Sequence, residues 1–259
     1  MLELSLSGDM LLLLFSVGLV AGLIDAMAGG GGLITLPVLL SLGIGPVEAL
    51  ATNKLQGAFG TFSASLYFVR KKLVQLRSVR WLIACTFVGA AAGTLLVAYV
   101  DSSFLTRLIP LLLIVTALYF WLSPRIKEEN KKRKISYPLF ALVIGFGVGF
   151  YDGFFGPGAG SFFAAGFVLL FGFDLIQATA HTKILNFTSN IASLLFFSLG
   201  GHVVWSLGLV MAVGQLIGAR LGARLVIRRG SRLIRPMIVL VSLAISFKLL
   251  LGESSSLFG

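Results

Sequence analysis

Acidic residues and cysteine are scarce in this chain. Only 12% of its 259 residues are charged, and 10 Asp and Glu stand against 21 Lys and Arg. The single cysteine, Cys85, excludes an internal disulfide, and the two histidines form no cluster with it, so the sequence predicts no metal site. The rest is 57% hydrophobic, which is more than a soluble core could absorb. Its uncharged runs of about 20 residues are typical of helices that span a membrane.

The basic residues lie mainly in three clusters between the hydrophobic runs, at 70–80, 125–134 and 228–235. A net charge of +11 would suggest a nucleic-acid partner in a soluble protein, but here it indicates topology, and we expect no nucleic acid. Positively charged loops stay in the cytoplasm. The three clusters are therefore predicted to be cytoplasmic, and both termini are predicted to lie outside.

The hydrophobic pattern predicts ten segments, five in each half of the chain. Their approximate bounds are 10–28, 32–43, 46–69, 81–100, 104–122, 137–155, 160–172, 174–199, 203–227 and 233–252. The segments at 32–43 and 160–172 are about 18 Å long as helices, which is too short to cross a bilayer comfortably. We expect each to be a half-helix paired with the run before it, or a re-entrant element, and the pattern does not choose between these.

The chain contains one membrane motif twice. The stretch Gly22-Leu-Ile-Asp25-Ala-Met-Ala-Gly29-Gly-Gly-Gly32 has a counterpart in Gly149-Phe-Tyr-Asp152-Gly-Phe-Phe-Gly156-Pro-Gly-Ala-Gly160. An odd number of segments in each half turns the second copy over. We therefore predict an all-α membrane protein of two inverted repeats, 1–122 and 137–259, joined by a basic cytoplasmic linker at 123–136. Each repeat begins with a broken or re-entrant helix pair, an arrangement found in secondary transporters.

The glycine clusters within these motifs are the first candidate site. A helix that starts inside the membrane presents free amide groups and a positive dipole end, and two such starts would form an anion site. The alternative is close helix packing through small residues. The candidate substrate-binding residues of the two clusters are Gly29, Gly30, Gly31, Gly32, Gly156, Pro157 and Gly158.

Two acids and two lysines at membrane depth are the next candidates. Asp25 and Asp152 could carry protons for coupling, or could hold the glycine turns in shape by accepting amide hydrogen bonds. Lys54 and Lys183 could pair with a substrate anion or with either acid, or could extend to an interface instead. Polar neighbours of the two lysines could line a cavity or bond helix to helix, namely Thr52, Asn53, Gln56, Thr182, Asn186, Ser189 and Asn190.

Three further basic side chains invite weaker interpretations. His181 could carry a proton, but a lone histidine in a polar helix is more often a hydrogen-bonded structural residue. We interpret Arg220 and Arg224 as anchors at the cytoplasmic end of their helix.

The motif from Gly22 to Pro37, together with Ala-Thr-Asn-Lys54 and His-Thr-Lys183 with Asn186, resembles the sulfite exporter TauE/SafE family over nearly the whole chain. The resemblance implies a multi-pass transporter in the bacterial inner membrane that handles sulfite, sulfonates or related small organic anions. The second glycine cluster differs from the first in containing Pro157 and Ala159.

We therefore predict a secondary transporter, not an enzyme, that exports such anions without a cofactor. Its partners would be the anionic substrate and membrane lipid, and a homo-oligomer is left open. The alternatives are a proton- or cation-coupled uptake permease, an intramembrane enzyme such as a lipid phosphatase, a passive channel and a membrane assembly factor. The enzyme finds little support in the sequence, which lacks a Gly-x-Ser-x-Gly motif and a pair of intramembrane glutamates.

Overall fold

The structure, a computed structural model, describes residues 7–122 and 133–229. Within these ranges it is helical and contains no strand. The helices are α1 Gly8–Ala28, α2 Gly32–Ser41, α3 Pro46–Arg70, α4 Arg80–Ala98, α5 Ser102–Leu122, α6 Tyr137–Phe154, α7 Ala159–Leu169, α8 Leu175–Leu199 and α9 Trp205–Arg229. A 3₁₀ turn, Leu76–Val79, precedes α4, and the middle of α6, Ala141–Val148, is π-helical.

Each of these helices begins and ends within three residues of a segment predicted from the hydrophobic pattern. The expectation of an all-α protein is thus confirmed for the described residues. The predicted segment at 233–252 and most of the linker at 123–136 lie outside the described residues.

Both predicted helix breaks are present, and glycine conformation makes them. The backbone of Gly29 is left-handed, with φ at 74°, and its N–H caps α1 by donating to the Asp25 carbonyl at 2.7 Å. In the second break, Gly156 and Gly158 have φ of 99° and 83°. Residues with a Cβ rarely adopt this conformation. The glycines therefore fix where the breaks fall, just after α1 ends at Ala28 and just after α6 ends at Phe154.

Glycines also let the helices pack backbone against backbone. In α9, a Cβ on Gly218 would lie 1.9 Å from the Leu19 carbonyl oxygen of α1. In the same way, a Cβ on Gly93 of α4 would lie 2.1 Å from the Phe150 carbonyl oxygen of α6. Small residues permit this approach in membrane proteins, where packing rather than a hydrophobic driving force joins helices. Thus α1 packs on α9, and α6 packs on α4.

The two long helices α3 and α8 form the centre. They pack against each other, and α3 also contacts α9 while α8 contacts α4. Both carry buried polar side chains along most of their length, which separates them from the apolar outer helices. Helices α2 and α7 lie against α3 and α8 respectively.

Four helical stretches in the described part of the chain are long and apolar enough to cross a membrane. They are α1, Leu76–Ala98, α6 and α9 up to Arg228. Their outward surfaces are apolar, as at Leu12 and Val88, which are 66% and 57% exposed. Such large exposed side chains are suited to lipid chains rather than to water.

Candidate functional site

The two helix breaks meet with their backbones in contact. A Cβ added to Gly29 would lie 2.4 Å from the Cα of Gly160, and one added to Gly160 would lie 2.5 Å from the Cα of Gly29. Real Cβ atoms do not approach so closely, so each position accepts only glycine without a shift. The Ser161 hydroxyl donates a hydrogen bond to the Ala28 carbonyl across the same contact. The starts of α2 and α7 are therefore neighbours at the centre of the protein.

A small polar cavity lies beside this contact. Its volume is about 30 Å³, room for roughly two water molecules at about 10–15 Å³ of such volume each. It is lined by Asp25, Gly29, Gly32, Asn53, Gly57, Thr61, Asp152, Gly156, Gly160, Asn186, Asn190 and Gln215. Residues from both breaks, from both central helices and from α9 thus converge on one place.

Lys54 holds the acid of the second break. It is the ninth residue of α3 and is 1% exposed. Its ammonium donates hydrogen bonds to Asp152 Oδ1 at 2.6 Å and to the Asp152 carbonyl. Asp152 Oδ2 accepts from the Asn186 amide at 3.2 Å and from the Ser189 hydroxyl. This carboxylate is buried among donors from α3 and α8, which offset the cost of removing the charges from water.

Lys183 holds the acid of the first break in a similar way. It is the ninth residue of α8, and its ammonium donates to Asp25 Oδ2 at 3.0 Å and to the Asp25 carbonyl. Asp25 Oδ1 accepts from the Gly31 N–H at a longer 3.4 Å. The Asp25 side chain is 14% exposed, against 5% for Asp152. The first-break pair is therefore looser and more open to the cavity than the second-break pair.

Each lysine thus pairs with the acid of the other half of the chain, and neither extends to an interface. Two negative charges balance two positive charges around the cavity, so its side chains add no net charge. Any attraction for an anion must then come from backbone amides and polar side chains, or from a shift of one lysine away from its acid.

Free backbone amides are present at both helix starts. The N–H groups of Gly32 and Gly160 have no hydrogen-bond partner among the described residues, and both glycines line the cavity. At Asn186 and Gln215, the amide oxygens are buried with no partner within the same ranges. The two ends of an amide side chain can exchange, so Gln215 can present a donor or an acceptor to a ligand. Asn186 presents its oxygen, because its amide nitrogen donates to Asp152.

A second polar layer fixes the cavity wall. Asn53 Oδ1 accepts from the Thr35 hydroxyl at 2.6 Å and from the Gln56 amide at 2.7 Å. These contacts hold Asn53 between α2 and α3. On the other side, the Asn190 amide donates to the Thr61 hydroxyl at 3.3 Å, which joins α8 to α3.

The structure places the predicted site residues in two groups. Of the candidates named from the sequence, eight line the cavity: Asp25, Gly29, Gly32, Asn53, Asp152, Gly156, Asn186 and Asn190. Gly160, the last residue of the second motif, lines it too. The other proposed site residues lie next to the cavity wall. Lys54 and Lys183 are the ion-pair partners of the acids, Gln56 donates to Asn53, and the turns contain Gly30, Gly31, Pro157 and Gly158.

Sequence reasoning missed three lining residues, Gly57, Thr61 and Gln215. Gln215 carried a signal, because it is the one amide side chain in the long apolar run at 203–227. Gly57 and Thr61 gave little sequence signal of a binding site, because small residues on membrane helices also serve helix packing.

His181 lies away from this cavity. Its Nδ1 is 2.8 Å from the Gln177 carbonyl, and its ring packs against Phe167 and Phe173. These contacts fit the structural interpretation. Among residues 7–122 and 133–229, no group of three His, Cys, Asp or Glu could hold a metal ion.

Comparison with known proteins identifies the family. Residues 14–249 match the family described as Sulfite exporter TauE/SafE. The chain belongs to this family.

Relatives in several bacteria are named as transporters. The chain is 55% identical to Probable membrane transporter protein YfcA of Escherichia coli strain K12 over 92% of this chain and 88% of that protein. It is 48% identical to a Probable membrane transporter protein of Haemophilus influenzae, over 95% and 96% of the two chains. A Bacillus subtilis relative, Probable membrane transporter protein YunE, is 27% identical over 82% of this chain and 86% of that protein. No solved structure matches the chain.

The family and the apolar helices together establish a membrane transporter. The protein is a multi-pass protein of the inner membrane, as expected from its sequence.

Proposed function

We propose that this transporter exports sulfite, sulfonates or related small organic anions as a secondary carrier. The observation that carries the proposal is the meeting of two helix starts, with free amides at Gly32 and Gly160, on one polar cavity deep between apolar helices. Helix N-termini favour anions because their amides and dipole point at the ligand.

We further propose that residues 1–122 and 137–259 are inverted repeats joined by a cytoplasmic linker at 123–136. Reciprocal contacts support this: α1 packs on α9 as α6 packs on α4, and α3 contacts α9 as α8 contacts α4. The two lysines occupy the ninth position of α3 and α8, and each pairs with the other half's acid. Such exchange is what a pseudo-twofold axis in the membrane plane would produce.

In the conformation described here, the cavity is too small to hold the proposed substrate. A space of about 30 Å³ holds roughly two water molecules, which is less than the four heavy atoms of sulfite need. Anion binding must therefore separate elements that touch here. Because the Lys54–Asp152 pair joins α3 to α6 and the Lys183–Asp25 pair joins α8 to α1, rocking of one half against the other acts on both ion pairs.

Export needs no coupling ion on energetic grounds. Moving one negative charge out of a cell that is negative inside releases about 2.3 kcal/mol per 100 mV. A coupled uptake permease is the second candidate, and the observation that favours it is that both acids line the cavity. In that case Asp25, the more exposed of the two, is the candidate for the coupling proton or cation.

Flux through proteoliposomes tests the proposal. Vesicles loaded with radiolabelled sulfite or a simple sulfonate should release it faster with protein than without, and faster still when the potential favours anion exit. Lys183→Gln should slow release, because it removes a buried cation beside the cavity. Lys72→Gln, which removes an exposed cation in the first basic cluster, should not.

The outcomes separate the two candidates. Release driven by potential alone supports the exporter, whereas movement only with an imposed proton or sodium gradient supports the coupled permease. If no small anion moves under either condition, both are wrong.

A further inference from the structure

We propose that the groove between α3 and α9 binds an anionic phospholipid of the cytoplasmic leaflet. This groove has a volume of about 390 Å³ and lies apart from the central cavity. Its apolar wall includes Phe62, Leu216 and Ile217, and its basic residues are Arg70, Arg220 and Arg224.

The arginines cluster at one end of the groove. Helices α3 and α9 run in the same direction, because Gly60 meets Gln215 and Tyr67 meets Arg220 further along both chains. Arg70 is the last residue of α3, and Arg220 and Arg224 lie in the last turns of α9. The apolar wall therefore continues from the basic end toward the middle of the membrane, which matches the order of head group and acyl chain in a lipid.

The basic end has no negative partner within the described ranges. No carboxylate there lies within 4.0 Å of any of the three arginines. The Arg220 guanidinium carbon lies 4.4 Å from the centroid of the Tyr67 ring, and this cation–π contact holds the charge over the groove. Three positive charges without counter-charges are complementary to a phosphate group.

The walls favour a lipid over a free anion. Phe62 is 46% exposed and Ile217 is 41% exposed, on a surface that faces the acyl chains of a membrane. A small free anion would contact the arginines but not this apolar wall. A phospholipid fits both parts of the groove. The first basic cluster, which begins at Arg70, is predicted to be cytoplasmic, and this assigns the lipid to the inner leaflet.

Native mass spectrometry of the full chain tests the assignment. In equimolar phosphatidylglycerol and phosphatidylcholine, the wild type should retain phosphatidylglycerol preferentially. Arg220→Gln combined with Arg224→Gln should weaken that retention by about thirtyfold, from the known attraction of two basic residues for anionic lipid. Lys72→Gln combined with Arg77→Gln removes the same charge at exposed positions outside the groove and should retain the lipid as the wild type does.

Several results would overturn the proposal. Equal retention of the two lipids by the wild type would show that charge does not select the occupant. Competition by excess inorganic phosphate as effective as that by phosphatidylglycerol would show a free-anion site instead. Unchanged retention in the double arginine variant would place the lipid elsewhere. If that variant does not fold, two measurements still test the proposal: retention of phosphatidylglycerol by Arg224→Gln alone, and competition by inorganic phosphate in the wild type.

Discussion

Replacing Asp152 with the uncharged residue Asn should strongly lower the stability of this protein. The substitution keeps size and shape but leaves the Lys54 ammonium, 1% exposed, without its carboxylate. It also removes the charged acceptor that Asn186 and Ser189 share. A buried cation that loses its partner retains the desolvation cost and loses the attraction that offset it.

The expected magnitude follows from this burial. Breaking a buried ion pair from one side costs about 3–5 kcal/mol. At about 2–4 °C per kcal/mol for a chain of this size, the Tm should fall by roughly 6–20 °C. Asp25→Asn should cost less, because the Asp25 side chain is 14% exposed and its hydrogen bond from Gly31 is 3.4 Å long.

A double variant separates the ion pair from ordinary packing. Lys54→Gln with Asp152→Asn removes both charges of this pair and keeps an amide oxygen for Asn186 and Ser189. The double variant should therefore recover at least half of the fall in Tm that Asp152→Asn causes. The single cysteine provides the assay, because Cys85 is only partly exposed in α4 and gains reactivity toward a thiol dye on unfolding. The reasoning is refuted if Asp152→Asn unfolds like the wild type, or if the double variant loses the sum of the two single losses.

Three other changes test separate parts of the site. Gly29→Ala should abolish flux, because its Cβ would lie 2.4 Å from the Cα of Gly160. Gly43→Ala is the control: Gly43 has a similar positive φ but open space around it, so this variant should keep flux. An equal loss of flux in both variants would show that backbone strain alone is responsible. Gln215→Leu should slow flux yet leave the Tm near the wild-type value, since its Oε1 has no partner among the described residues; a large fall in Tm would contradict this. Single cysteines replacing Arg77 and Asp101, without the native cysteine, should react from the cytoplasmic and outer sides respectively with an impermeant reagent, and labelling of both from one side would end the predicted topology.

The helices could be predicted from the sequence because hydrophobic length and glycine position act locally. Four consecutive glycines interrupt the apolar run after Asp25, and they predict a helix break there. In the structure α1 ends at Ala28 and α2 begins at Gly32. Segment bounds were good to a few residues for the same reason. The inverted relationship of the halves stays a prediction, because it depends on which side of the membrane each loop occupies.

The partners within the site could not be predicted, because they depend on how the halves pack. The sequence marked Lys54, Lys183, Asp25 and Asp152 as unusual for a membrane interior, and it left open whether the lysines meet a substrate or an acid. The crossed pairing arises only when α3 reaches α6 and α8 reaches α1. Gln215 enters the cavity for the same reason, through the packing of α9 on α3.

A structure determined with a transported anion tests the central claim most directly. We expect density for the anion between 29–32 and 156–160, within hydrogen-bonding distance of the Gly32 and Gly160 amides, with the two breaks further apart than the present contact. An anion bound only elsewhere, with Gly29 still against Gly160 and the cavity unchanged, would contradict it.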